Sequence, residues 1–144
     1  HQLIFETSIK IINNNYMLGI GPKNFREICK NYKTFSKYDL SEDGCSTHPH
    51  NTYLQLFSET GILGFIFIFI IFLLISYYII HKIYLVNILK NFNNNLGNDL
   101  IIVSLFISLW PFVPTGSFFN NWLSIIYYLP IGFIIYNYIH NKND

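Results

Sequence analysis

The chain contains no alanine, and its cations are eight lysines against a single arginine, Arg26. Asn, Ile, Lys, Phe and Tyr abound instead. That is the bias of an AT-rich coding sequence, and it strips meaning from the asparagine clusters at 13–15 and 93–95. Charge is scarce as well. Asp, Glu, Lys and Arg make up 12% of 144 residues, against ~25% in a soluble domain. It is absent outright from 62–80, ILGFIFIFIIFLLISYYII, which reaches the ~20 residues of a spanning helix. These absences exclude an ordinary soluble domain and point to an all-α integral membrane protein.

Two further apolar segments follow. One, 98–113, ends at Pro111 and Pro114; the other, 119–139, carries Pro130, a residue tolerated in a membrane helix when neighbours re-satisfy the freed backbone. About three transmembrane helices are therefore expected (62–80, 98–113, 119–139), making up residues 61–144, with a connector at 81–97. Residues 1–60 form the segment before them. Three spans are few for enclosing a substrate, and the chain starts at His1 without a signal peptide. We expect a fragment, the C-terminal part of a larger polytopic bundle.

Lys82, Lys90 and Lys142 flank the inner ends of these spans, while 114–121 is uncharged and no Lys or Arg lies between Tyr38 and Gly61. The positive-inside rule then puts the connector and tail in the cytoplasm and residues 1–60 outside. Cys29 and Cys45 fall on that oxidising side, where a disulfide worth ~3 kcal/mol is the expectation and two buried thiols the alternative.

Within residues 1–60, the apolar positions Ile4, Phe5, Ile9, Ile11 and Ile12 predict an amphipathic helix over 3–12. Gly19-Ile20-Gly21-Pro22 breaks it, and Phe25, Ile28, Tyr32 and Phe35 predict a second helix over 22–37. Lys23, Arg26, Lys30, Lys33 and Lys37 line another face of that helix. Such a face suits anionic headgroups or a diphosphate, and equally suits water. Arg26 stands out because a guanidinium grips phosphate bidentately, as Lys does not.

His48-Pro49-His50-Asn51 reads as a helix start, with Pro49 at the first position and Thr47 or His48 as cap. Asn51, Gln55 and Glu59 then recur every fourth residue as one polar stripe, which should face protein or water rather than lipid. In a first turn, the helix dipole would hold His50 neutral, and the free N–H groups would attract phosphate. That combination fits attack by a hydroxyl on a carbon bearing a diphosphate leaving group. Two other readings stay open: a metal site drawn from His48, His50, Cys45, Asp43 and Glu59, and a histidine that only caps or packs.

The spacing resembles the O-antigen ligase and polymerase family of bacterial membrane glycosyltransferases. His50-Asn51 precedes residues 52–60 and then Gly61-Ile62-Leu63-Gly64, within a longer HPHNxYLQLxxExGxxG pattern. An upstream GxGxxxF stands at Gly19 to Phe25, and Pro114-Thr115-Gly116-Ser117-Phe118-Phe119-Asn120-Asn121-Trp122 matches a third family pattern.

The resemblance implies transfer of a glycan from an undecaprenyl-diphosphate-linked donor to a glycan or lipid A-core acceptor. The transfer would occur on the periplasmic face of the bacterial inner membrane, with inversion, without a cofactor or metal and without a nucleic-acid partner. It implies His50 as the catalytic base, with Arg26, His48, Asn51, Gln55 and Glu59 as substrate-binding candidates. Phe65 and Ile66 stand where some ligases have Thr-like residues, so polymerase and protein O-glycosyltransferase activities are equally implied. The alternative from another class is a non-catalytic membrane subunit or transporter whose polar stripe lines a cavity.

Overall fold

A computed structural model describes residues 2–32, 44–89 and 96–140. Among them the structure is helical, without strands: α1 (Gln2–Asn15), α2 (Phe25–Ile28), a 3-10 turn (Cys29–Asn31), α3 (Thr52–Leu89), α4 (Leu96–Ser108) and α5 (Asn121–His140). Two compact units divide the chain. The first comprises His1–Phe69 and Pro111–Leu123, the second Ile70–Trp110 and Ser124–Asp144.

In the first unit, α1 forms where the apolar spacing predicts it and buries Thr7, Ser8, Ile11 and Ile12. Ser8 is tolerated inside because its hydroxyl donates to the Ile4 carbonyl at 2.7 Å. Ile11, Phe25 and Cys29 make the core, with Ile4, Ile20, Ile28, Tyr32 and Cys45 around it.

The helix expected over 22–37 is corrected. In the described part of that range, residues 22–32, Phe25–Ile28 is α-helical and a 3-10 turn follows. Pro22 and Lys23 lie in a turn, with Lys23 at φ 63, and Tyr32 leaves helical dihedrals at φ −119, ψ 15. The Phe25, Ile28 and Tyr32 side chains still share the core side. Of the basic face, Arg26 and Lys30 are exposed, Lys23 sits outside the helix, and Lys33 and Lys37 lie outside the described residues.

The α3 helix breaks at Gly61, whose φ of 70 and ψ of −165 lie in a region essentially reserved for glycine. A broken helix strands backbone groups that need partners. Here residues 16–21 supply three of them. Ile20 N–H donates to Ser58 O at 3.0 Å, Gly21 N–H to Glu59 O at 2.8 Å, and Ile62 N–H to Tyr16 O at 2.8 Å. The two backbones approach so closely that a Cβ on Gly61 would overlap Met17 and Leu18. One on Gly19 would overlap Glu59 and Gly61.

Among the described residues one helical stretch, Thr52–Leu85, is long and apolar enough to cross a membrane. Leu63, Phe67, Leu73, Leu74 and Tyr77 are exposed along it, which suits lipid rather than water. The helical backbone continues past residue 80, the expected end of the first span, to Leu89. The expected span over 98–113 is shorter: α4 has 13 residues, about 20 Å against ~30 Å of hydrocarbon. It stops before Pro111, whose ring disfavours helix in the preceding residue. The α5 helix holds Pro130 in its interior. In the second unit, Phe72 stacks on Phe106 at 5.6 Å with Trp110 edge-on to both. Lys82 pairs with Asp99 in a half-buried position.

Gly61→Ala forces an L-residue into glycine-only space at an expense of about 1–3 kcal/mol before any steric overlap. Its thermal midpoint in detergent should fall well below that of Gly132→Ala, where a Cβ meets nothing within 4 Å. Equal midpoints would contradict the joint.

Candidate functional site

The polar stripe begins with Asn51, which is the cap of α3. Its Oδ1 accepts the Tyr53 and Leu54 N–H groups at 3.0 and 3.1 Å. The expected start is thereby corrected: neither Thr47 nor His48 is the cap, and Pro49 precedes the helix. His50 stands just outside the first turn at φ 56, a left-handed conformation that costs an ordinary residue roughly 1–2 kcal/mol. Residues 111–118 hold this region in place. Asn51 Nδ2 donates to Pro111 O at 2.7 Å. The Thr115 N–H donates to His50 O at 3.0 Å, and the hydroxyls of Thr52 and Thr115 pair at 2.9 Å.

One and two turns further along, Gln55 and Glu59 are each 1% exposed. Gln55 Nε2 donates to Glu59 Oε2 and to Ser117 Oγ, both at 3.0 Å, while its Oε1 accepts the Phe118 N–H at 2.8 Å. The other Glu59 oxygen accepts the Phe25 N–H at 3.1 Å. A buried carboxylate is sustainable only with such partners. Gln55 and Glu59 thus join α3 to the start of α2 and to the 114–122 motif. Asn51, Gln55 and Glu59 all face protein, as the stripe requires.

His50 is half-buried, and its Nε2 lies 3.1 Å from Ser46 Oγ. Its ring is 4.2 Å from that of His48, tilted by 53°. Burial, with the neighbouring His48 second, pushes its pKa below the ordinary imidazole value of 6.5. The origin is desolvation and a like charge, rather than a place in the first helical turn. His48 Nδ1 meets Thr47 Oγ1 at 2.9 Å, while its Nε2 is buried without a partner among the described residues.

Cys29 and Cys45 form the expected disulfide, with Cα atoms 5.3 Å apart, inside the range such bonds require. Arg26 lies between two tethers, the Phe25–Glu59 bond before it and the bridge after it. Its carbonyl oxygen is 3.9 Å from Cys45 Sγ, and its side chain belongs to an exposed residue.

Among the described residues no three His, Cys, Asp or Glu side chains converge on a metal position. Cys45 is committed to Cys29 and Glu59 to Phe25 and Gln55; Asp43 lies outside the described residues. Sequence reasoning missed Ser46 and gave Thr115 and Ser117 no individual role. Nothing in their spacing distinguishes them from other hydroxyl residues.

Residues 2–69 match the Wzy_C family model, described as O-antigen ligase. Over that segment, somewhat less than half of the chain, the protein is similar to O-antigen ligases. No curated protein and no solved structure matches the chain. The matched O-antigen ligase range ends at Phe69, as does the N-terminal part of the first compact unit. The bonds from Gln55, Thr52 and Asn51 draw residues 111–118 into that same unit.

Glu59→Ala leaves the Phe25 N–H and one Gln55 N–H short of acceptors, at about 1–3 kcal/mol for each buried unsatisfied group. Thermal unfolding should show a clear loss. Glu27→Ala, which removes only the exposed pair with Lys30, should leave stability almost unchanged. Comparable small effects from both would refute the tether.

Proposed function

We propose that the chain belongs to a bacterial inner-membrane transferase that moves a glycan from an undecaprenyl-diphosphate carrier to a sugar hydroxyl. The reaction takes place on the periplasmic face. The observation that carries this reading is a half-buried imidazole with a lowered pKa, set outside the helix beside a second histidine, within the segment similar to O-antigen ligases.

His50 takes the proton of the acceptor hydroxyl as that oxygen bonds to the anomeric carbon. The bond from this carbon to the diphosphate oxygen breaks, and its electron pair leaves with the diphosphate. Direct displacement inverts the anomeric centre. The imidazolium then returns its proton to water. A ring held neutral at neutral pH is suited to this step, and no metal enters it.

Arg26, held between its two tethers, meets the diphosphate charge. His48 binds substrate through its unpartnered Nε2, which seeks a hydroxyl or phosphate oxygen. The committed hydrogen bonds of Asn51, Gln55 and Glu59 favour a role in holding the site's walls over direct sugar contact. The disulfide supports an oxidising compartment, and the lysine distribution supports a cytoplasmic connector and tail. The acceptor is a glycan or lipid A-core.

His50→Ala in the full-length protein should reduce transfer by about 10²–10⁴-fold at normal membrane abundance, the range of general-base contributions. Wild-type transfer should persist as pH falls through 6.5, the ordinary imidazole value. It should decline only at lower pH, where His50 gains its proton. Undiminished transfer by the variant would contradict the base assignment and favour a non-catalytic subunit or transporter.

A further inference from the structure

Ser46 lies outside every quoted motif, yet its hydroxyl is 3.1 Å from His50 Nε2. Its position is set by unusual means for a loop residue. The preceding residue, Cys45, is bonded to Cys29, and Cys29 is fully buried against Ile11 and Phe25. The Ser46 carbonyl in turn lies 3.9 Å from Cys29 Sγ. His50 is different: it stands before the helix, at a left-handed φ of 56, and its backbone carbonyl is taken by Thr115. No helical turn dictates where its ring points.

We propose that Ser46 is a positioning residue that orients the His50 imidazole and, by accepting the Nε2–H, settles which ring nitrogen carries the proton. The lone pair that takes the acceptor's proton then resides on the other nitrogen. The proposal rests on the reading of His50 as the base.

A hydroxyl oxygen can accept from both neutral imidazole and imidazolium, and it bonds the cation more strongly. The Ser46 contact therefore tightens as His50 gains charge in the transition state. Among the described residues, His48 is the titratable group acting on His50. Glu59 is engaged by Phe25 and Gln55. A change at Ser46 leaves burial and the neighbouring His48, which lower the His50 pKa, in place.

The test uses the full-length protein with Ser46→Ala and Ser46→Thr, checking membrane abundance and disulfide formation. Imidazole nitrogen NMR reads the His50 tautomer and titration midpoint, and transfer is measured with the cell's own lipid-linked glycan. Ser46→Ala should erase the Nε2–H preference, move the midpoint to lower pH and slow transfer at least tenfold. Ser46→Thr should restore all three. An unchanged tautomer and midpoint in Ser46→Ala, or a midpoint moved to higher pH, would overturn the proposal. So would full transfer by Ser46→Ala when His50→Ala is inactive. Full transfer by His50→Ala would instead remove the base reading and the catalytic meaning of Ser46 with it, while NMR still reports the Ser46–His50 bond.

Discussion

A helix interrupted at Gly61 must find partners for the backbone groups it strands, and here the partners come from residues 16–21. Ser58 O, Glu59 O and Ile62 N–H each bond to that loop. Because the bonds are between backbones, side chains at the contact have to vanish, which is why glycine stands at both 19 and 61. Once the loop is pinned, Phe25 follows within a few residues. Its N–H falls to Glu59 and its ring to the core with Ile11 and Cys29. Two motifs that lie apart along the chain are thus two halves of one joint.

The third motif joins through side chains rather than backbone. Gln55 is the hub: it donates to Glu59 and Ser117 and accepts from Phe118. Asn51 and Thr52 add bonds to Pro111 and Thr115. Buried networks of this kind are sound only when every member is satisfied, and each named polar atom of Gln55 and Glu59 is. The outcome is a rigid frame around the 45–50 segment. The disulfide enters that segment from one side and the α3 cap from the other. His48 and His50 occupy the interval, one ring with an unpartnered buried nitrogen and the other with a lowered pKa. Rigid surroundings and a poised imidazole are what general-base catalysis asks of a site.

Much of this was readable in the residues. Periodicity sufficed for α1, and the apolar run for the long part of α3, because both depend on local pattern. The four-residue spacing of Asn51, Gln55 and Glu59 correctly implied one protein-facing stripe, and the two cysteines implied their bridge. Local pattern failed where tertiary bonds override it. In its described part, the helix expected at 22–37 is reduced to four residues and a 3-10 turn, where Glu59 takes the Phe25 N–H and the Cys29 bridge follows directly. His-Pro-His looked like a helix start, since Pro49 suits a first turn. Asn51 is the better cap, and its second amide bond to Pro111 fixes the choice. That partner lies sixty residues away, beyond any local signal. Ser46 was invisible for the same reason: only the fold brings its hydroxyl to an imidazole.

The claim beneath all of this is that residues 16–21 close the break in α3, so the most direct measurement is amide hydrogen exchange at Ile20, Gly21 and Ile62 in the full-length protein. If the joint is a single cooperative unit, these three amides exchange slowly and at one common rate, together with the amides of the first turns of α3. Fast exchange at Ile20 and Gly21 beside a protected α3 would show that the loop does not satisfy the broken helix, and the account would fail at its base.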